Sequence, residues 1–149
     1  MNQISLASLM MDLNMRKSNE VREDLVRHMI LNSIRMYRTD FHQEFGEVVL
    51  TYDSKHYWRR DYFPNYKAGR KKGRENDSKD WDAIFNCLNK IKSEFKENLP
   101  YKYLEIYGAE ADDIIATLCK NLGTANKIMI VSGDKDFIQL QKYPNVQQY

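Results

Sequence analysis

Three short apolar runs alternate with stretches of helical periodicity, and that alternation restricts the chain to few folds. Val48-Val49-Leu50-Thr51-Tyr52 is β-branched and aromatic and stops at Asp53-Ser54, as a buried strand entering a loop does. Residues 101–107 and 127–132 form two more strand candidates. Val21, Leu25, Met29, Ile30, Ile34 and Met36 recur mostly at three- and four-residue steps over residues 19–37, the spacing of one buried helix face, with Ser18 and Asn19 as N-caps. Trp81, Ile84, Phe85, Leu88, Ile91 and Phe95 mark a helix over residues 78–98 that Pro100 stops. Residues 109–122 form another that ends before Gly123, and residues 5–13 also read as helical. Parallel strands need helical crossovers and are apolar on both faces, so this order predicts an α/β fold with a mainly parallel central sheet flanked by helices. With 149 residues, 42% hydrophobic and 30% charged, the chain is long enough for one well-buried core and reads as one globular unit.

In open α/β sheets, ligands bind outside the carboxyl ends of the strands. Acids stand there: Asp53 after the first strand, Glu110, Asp112 and Asp113 at the start of the helix after the second, and Asp134 and Asp136 after the third. Parallel strands would bring all six to one edge. So many carboxylates would repel one another and raise each other's pKa values unless cations sat among them. Mg²⁺ prefers oxygen ligands and keeps several waters, which suits a shallow acidic pool. Two ions about 4 Å apart would activate water and stabilise the leaving oxygen of a phosphodiester. Each acidic group also has a plainer reading. Acids in a first helical turn are favoured by the macrodipole alone, and Asp beside Gly133 suits a turn.

The overall charge of +2 conceals a strongly basic segment. Between residues 55 and 74, Lys55, Arg59, Arg60, Lys67, Arg70, Lys71, Lys72 and Arg74 face the single acid Asp61, so the segment carries +7 and the remainder −5. Tyr57, Trp58, Tyr62, Phe63 and Tyr66 are interleaved with the cations, a mixture suited to neutralising phosphate and stacking on unpaired bases. Gly69, Gly73 and Pro64 interrupt the segment, which reads over residues 67–76 as a mobile loop or a helix that orders around substrate. The plainer alternative is a solvated charged loop.

Cys87 and Cys119 lie far apart in helical patterns, with no CxxC pair and no histidine cluster. They read as reduced thiols in a reducing compartment rather than zinc ligands. No run of about eighteen apolar residues and no basic-then-apolar leader occurs, so the expectation is a soluble cytoplasmic protein that does not use a membrane.

Ala109-Glu110-Ala111-Asp112-Asp113-Ile114-Ile115-Ala116 and Val131-Ser132-Gly133-Asp134-Lys135-Asp136-Phe137-Ile138-Gln139-Leu140 resemble the paired acidic motifs of the flap-endonuclease, or 5′-nuclease, family. Tyr66-Lys67-Ala68-Gly69-Arg70 resembles the motif at the base of that family's helical arch, through which single-stranded 5′ ends pass. Residues 26–34, Tyr57-Trp58-Arg59-Arg60-Asp61 and Lys142-Tyr143-Pro144-Asn145-Val146 resemble its phage branch, so the likeness spans nearly the whole chain. It implies a PIN-like nuclease core over residues 1–149, with an arch segment at about 55–80. The implied activity is Mg²⁺-dependent, with Mn²⁺ able to substitute: 5′-to-3′ removal of RNA primers and adjoining DNA from duplexes and flaps in phage replication, in the host cytoplasm. Asp53, Glu110, Asp112, Asp113, Asp134 and Asp136 match the metal-site carboxylates. Lys67 matches a cation that stabilises charge on the scissile phosphate and Arg70 one that holds that phosphate or its neighbour, while Tyr66 is placed for stacking on a terminal base. Lys55, Arg59, Arg60, Lys71, Lys72 and Arg74 complete the nucleic-acid-binding set. The implied partners are DNA and RNA–DNA hybrids with 5′ ends or flaps, and in the parent protein a single-strand-binding protein and a sliding clamp.

The family pattern also has an aspartate at the end of a first strand, before a segment like Asn2-Gln3-Ile4-Ser5-Leu6-Ala7, and a helical hairpin that grips duplex DNA after the position of Tyr149. The expectation is that both lie outside this chain, and that Asp12, in a predicted helix, does not replace the aspartate. Weak cleavage or none is then expected of the chain alone. Two rivals remain: a PIN-class single-strand RNase, which needs only about four acids, and a non-catalytic nucleic-acid-binding fragment. A phosphatase reading of Asp134-Lys135-Asp136 fits less well, because its paired-aspartate nucleophile belongs on an early strand.

Overall fold

Burial on both faces makes Leu50, Thr51 and Tyr52 a strand segment. The computed structural model, which describes residues 2–16, 20–75 and 77–149, places that segment in the first of two compact units, formed by residues 33–57 and 101–149. In it β1 (Val49–Thr51) pairs in parallel with β2 (Lys102–Leu104), Leu50 opposite Tyr103. A second parallel pair joins β3 (Ile128–Ile130) to β4 (Val146–Gln148). Helix α6 (Ala111–Leu122) packs against β1, β3 and a 3₁₀ helix, Lys135–Lys142. Cys119, Ile130, Phe137, Leu140 and Val146 form the buried cluster beneath, with Ile115 and Tyr143 packed on it.

The second unit, residues 2–32 and 58–100, is helical. It holds α1 (Asn2–Arg16), the first part of α2 (Glu23–Phe45), the short α3 (Arg59–Tyr62), α4 (Ala68–Glu75) and α5 (Trp81–Asn98). Leu9, Leu13, Val26, Ile30, Ile84, Cys87, Ile91 and Phe95 are its buried apolar residues. Arg27 grips Glu94 with two bonds, 2.6 and 3.0 Å, a fork geometry that only arginine provides.

The α/β alternation and the parallel pairing agree with the sequence reading. Two features differ. The strands are three residues long and form two separate pairs among the described residues, not one continuous sheet. The chain also divides into two units, in the second of which helices α1 and α5 pack on each other and bury apolar residues. Residues 68–75, within the segment read as a loop or a helix that orders around substrate, form α4.

Helix α2 starts at Glu23 and extends to Phe45, past its predicted end, where Tyr37 and Phe41 meet the Tyr149 ring edge-on at 6.0 and 5.2 Å. The proposed caps Ser18 and Asn19 lie outside the described residues. Gly123 closes α6 with φ −69°, so a left-handed turn is not what selects glycine there. A Cβ would meet the Cys119 carbonyl oxygen at 2.5 Å and the Val146 Cγ2 at 2.6 Å. Both cysteines are buried and free, with burial raising each thiol. No described helix is long and apolar enough to cross a membrane.

Candidate active site

The edge that carries the first acids begins with strand alternation. Tyr52, 2% exposed, points inward and stacks on Tyr103 at 4.6 Å. Burial pushes its hydroxyl up to about 12. Burial also raises the Tyr103 hydroxyl, which donates to Glu105 at 2.9 Å. Side chains alternate along a strand, so Asp53 emerges opposite Tyr52, and its Oδ1 accepts the Ala111 N–H at 2.7 Å. The strand-end acid is thereby tied to the N-terminus of α6, which favours negative charge. The parallel pairing continues past the strands through Tyr52 N–H to Leu104 O, 2.9 Å, Ser54 N–H to Ala109 O, 3.0 Å, and a bridge between Tyr57 and Gly108.

Glu110 is the N-cap of α6 and Asp113 its N3 residue, joined in a capping box: the Glu110 carboxylate accepts the Asp113 N–H, and Asp113 Oδ2 accepts the Glu110 N–H at 3.0 Å. Glu110 is 3% exposed, whereas Asp112 is exposed. Asp134 caps the 3₁₀ helix, its Oδ1 accepting the Asp136 N–H at 2.9 Å. The plain structural readings of these acids are therefore realised. They do not exclude a ligand, because a carboxylate has two oxygens and about four lone-pair sites.

Asp53, Glu110 and Asp113 are linked through the α6 N-terminus, and Asp134 and Asp136 through their own turn. The structure does not draw all six acids into one cluster: among the described residues no group of three or more Asp, Glu, His or Cys side chains is positioned to hold a metal ion. The bonds show why: one set is fastened to backbone N–H groups at the start of α6 and the other to an N–H of the 3₁₀ helix. The donor chemistry still fits a hard divalent cation. Mg²⁺ is usually held by one or two carboxylates, with water and phosphate oxygens completing its shell.

Sequence reading missed Gln148, whose Nε2 donates to the Ser132 and Asp134 carbonyls at 2.6 and 2.8 Å and so shapes the acidic turn. No spacing pattern marks it; its strand, β4, had no apolar run to announce it. Asp12, the doubtful replacement acid, is buried in α1 and lies at no strand end.

Apart from Lys55, the predicted cations belong to the helical unit. Arg59 lies over the Trp58 ring at 4.7 Å and the Tyr66 ring at 6.0 Å. Lys67 Nζ is 5.1 Å from the Tyr66 ring centroid. Lys67 also has φ 57°, a left-handed conformation that costs a non-glycine residue about 1 kcal/mol and clusters at functional positions. Arg74 approaches Trp81 and Phe85 at 5.9 and 5.4 Å. Arg60 and Arg70 are exposed, and the side chains of Lys71 and Lys72 lie outside the described residues.

The family profile described as 5′-3′ exonuclease, N-terminal resolvase-like domain, matches residues 9–149. The chain is 39% identical to Ribonuclease H of Enterobacteria phage T4 over 99% of its own length and 49% of that protein. It is also 39% identical to Flap endonuclease Xni of Shewanella piezotolerans, over 73% of its length and 39% of that protein, and to DNA polymerase I of Lactococcus lactis subsp. lactis, over 62% and 10%. The chain thus spans about half the length of the phage relative, or less of the others. Use of divalent metal ions is general to this group. The whole sheet unit from residue 33, most of the helical unit and both acidic motifs fall within the matched region, and the chain belongs to the 5′-3′ exonuclease N-terminal, resolvase-like domain family.

Proposed function

We propose that this chain is the core of a metal-dependent 5′-to-3′ nuclease that hydrolyses phosphodiesters of RNA primers, adjoining DNA and 5′ flaps during phage replication in the host cytoplasm. The observation that carries the reading is the bond from Asp53 Oδ1 to the Ala111 N–H. It joins a strand-end carboxylate to a helix start bearing Glu110, Asp112 and Asp113, in a chain whose relatives are named as a ribonuclease H and flap endonucleases.

In this reading Asp53, Asp112 and Asp134 offer oxygens to Mg²⁺, or Mn²⁺ in its place, while Glu110, Asp113 and Asp136 contribute directly or through water. The bound cations supply a lowered pKa to the attacking water and charge neutralisation at the leaving oxygen. Lys67 meets charge developing on the phosphate and Arg70 holds phosphate by its planar fork. Tyr66 stacks on a terminal base. Lys55, Arg59, Arg60, Lys71, Lys72 and Arg74 track the strand's backbone, an attraction that weakens as salt rises.

Cleavage of a 5′-labelled primer duplex and of a 5′-flap substrate, in Mg²⁺ or Mn²⁺, tests the reading. Asp134→Asn keeps an oxygen for the Asp136 N–H but loses the charge, and should slow cutting by about 100-fold. Equal cutting by the variant overturns the metal-site assignment. Measured beside a version extended at both ends, cutting by the extended version alone makes this chain an incomplete nuclease core, binding without cutting by either makes it a non-catalytic binder, and preference for simple RNA strands over 5′ structures points to the PIN-type alternative.

A further inference from the structure

Beside the acidic edge, the loop between β2 and α6 exposes a large aromatic ring that the proposed chemistry does not use. Tyr107 is 84% exposed, and its apolar neighbour Ile106 is 52% exposed. Tyr107 is nevertheless placed by a partner: the His56 ring stacks on it with centroids 5.4 Å apart and planes 20° from parallel. One face of the phenol is thus backed by the imidazole, and the rest is open to solvent.

The backbone beneath is held in place. Gly108 adopts φ 82°, a left-handed conformation that glycine takes without steric cost. Ala109 N–H bonds the Ile106 carbonyl at 3.0 Å, Ser54 N–H bonds the Ala109 carbonyl at 3.0 Å, and Tyr57 pairs with Gly108. These bonds lie within the same paired segments that deliver Asp53 and Glu110. Tyr107 is three residues from Glu110 and His56 three from Asp53, so each ring's Cα lies within about 11 Å of the Cα of its neighbouring acid. That is the reach from a phosphate to the base of its own or the adjacent nucleotide.

We propose that Tyr107, backed by His56, is a stacking platform for an unpaired base of the nucleic acid whose phosphate the acidic edge receives. This rests on the phosphate-site reading above and deepens it by requiring a single-stranded nucleotide there. An anionic edge repels the phosphate backbone unless cations intervene, so an adjacent uncharged surface for the base adds affinity without adding repulsion. Every base has a π-face, so the platform accepts any base and takes part in positioning rather than sequence readout. A ring already stacked and carried on a bonded loop has little freedom left to lose on binding.

The test is a coupling measurement with the full chain, in Ca²⁺, using duplexes with short 5′ single-stranded ends that carry 2-aminopurine or an abasic site at each unpaired position in turn. The expected result is one position where 2-aminopurine fluorescence is quenched on binding. Tyr107→Ala should lose that quench and bind about 10-fold more weakly, while Tyr107→Phe retains both. With an abasic site at that position, Tyr107→Ala and the unaltered chain should bind alike. A Tyr107→Ala affinity within twofold on intact substrate overturns the platform, as does a loss of equal size on the abasic one. If the unaltered chain binds no such duplex, the functional reading falls and the platform with it. Because Tyr107 is exposed, Tyr107→Ala should melt with the unaltered chain, and that melting curve separates a missing stack from a damaged fold.

Discussion

The acidic edge of the sheet unit and the basic arm of the helical unit carry opposite charge and are constructed in opposite ways. At the edge, carboxylates are fastened to backbone: Asp53 to Ala111, Glu110 and Asp113 to each other's N–H groups, Asp134 to Asp136. Glu110 and Tyr52 are buried. In the arm, α3 has no buried residue, and Tyr62 and Phe63 are 76% and 72% exposed. Arg59, Lys67 and Arg74 of the arm lie over aromatic rings. Charges that must be positioned to a fraction of an ångström need a rigid frame, whereas phosphate neutralisation works through long-range, salt-screened attraction and tolerates exposure.

The largest effect that would sharpen this contrast is on cleavage. Asp53→Asn keeps the acceptor for Ala111 N–H and removes one charge, so cutting should fall by about 100-fold or more while the melting temperature scarcely changes. Loss of fold along with activity would show that the aspartate is structural. Next comes the frame behind the edge: Gly123→Ala forces a Cβ against a carbonyl oxygen and Val146, and should cost about 1–3 kcal/mol in denaturant unfolding. No destabilisation would mean that the sheet unit is looser than its packing indicates.

Smaller effects belong to the arm. Arg59→Ala combined with Arg70→Ala should leave unfolding unchanged and weaken single-strand binding several-fold, with the log-log salt slope falling by about 0.7 for each phosphate no longer neutralised. An unchanged slope would remove these residues from the interface. The smallest concerns the ion pair inside the helical unit. The Arg27 guanidinium holds the Glu94 carboxyl below its ordinary value of 4.5. A carboxyl depressed in the fold contributes stability that is present above pH 4.5 and lost as pH falls through its folded value. Thermal melts should therefore decline below that pH, and Glu94→Gln should flatten the decline; an identical acid limb in the variant would show that the pair contributes nothing.

Much of this was legible in the primary structure, and the misses share a cause. Helix α5 and the strand cores announce themselves because apolar residues repeat at fixed short spacing, as from Ile84 through Ile91 to Phe95. β4 was not read as a strand because it offers one buried valine followed by two glutamines, and only pairing with β3 makes it extended. Gly123 was readable as a helix end but for the wrong reason, since the constraint comes from the Cys119 carbonyl and from Val146, far along the chain. Gln148 acts through two carbonyls that no motif records.

The sequence by itself determined the alternation of strand and helix, the six acids at strand ends and turns, and the +7 segment, because periodicity and charge are properties of neighbouring residues. The tertiary structure decided that Asp53 reaches the start of α6, 58 residues away, that the strands form two pairs rather than one sheet, and that Tyr107 lies on His56 beside the acids. Those arrangements depend on which distant backbone donors and ring faces compete for the same partners, and that competition is resolved only when the chain is packed.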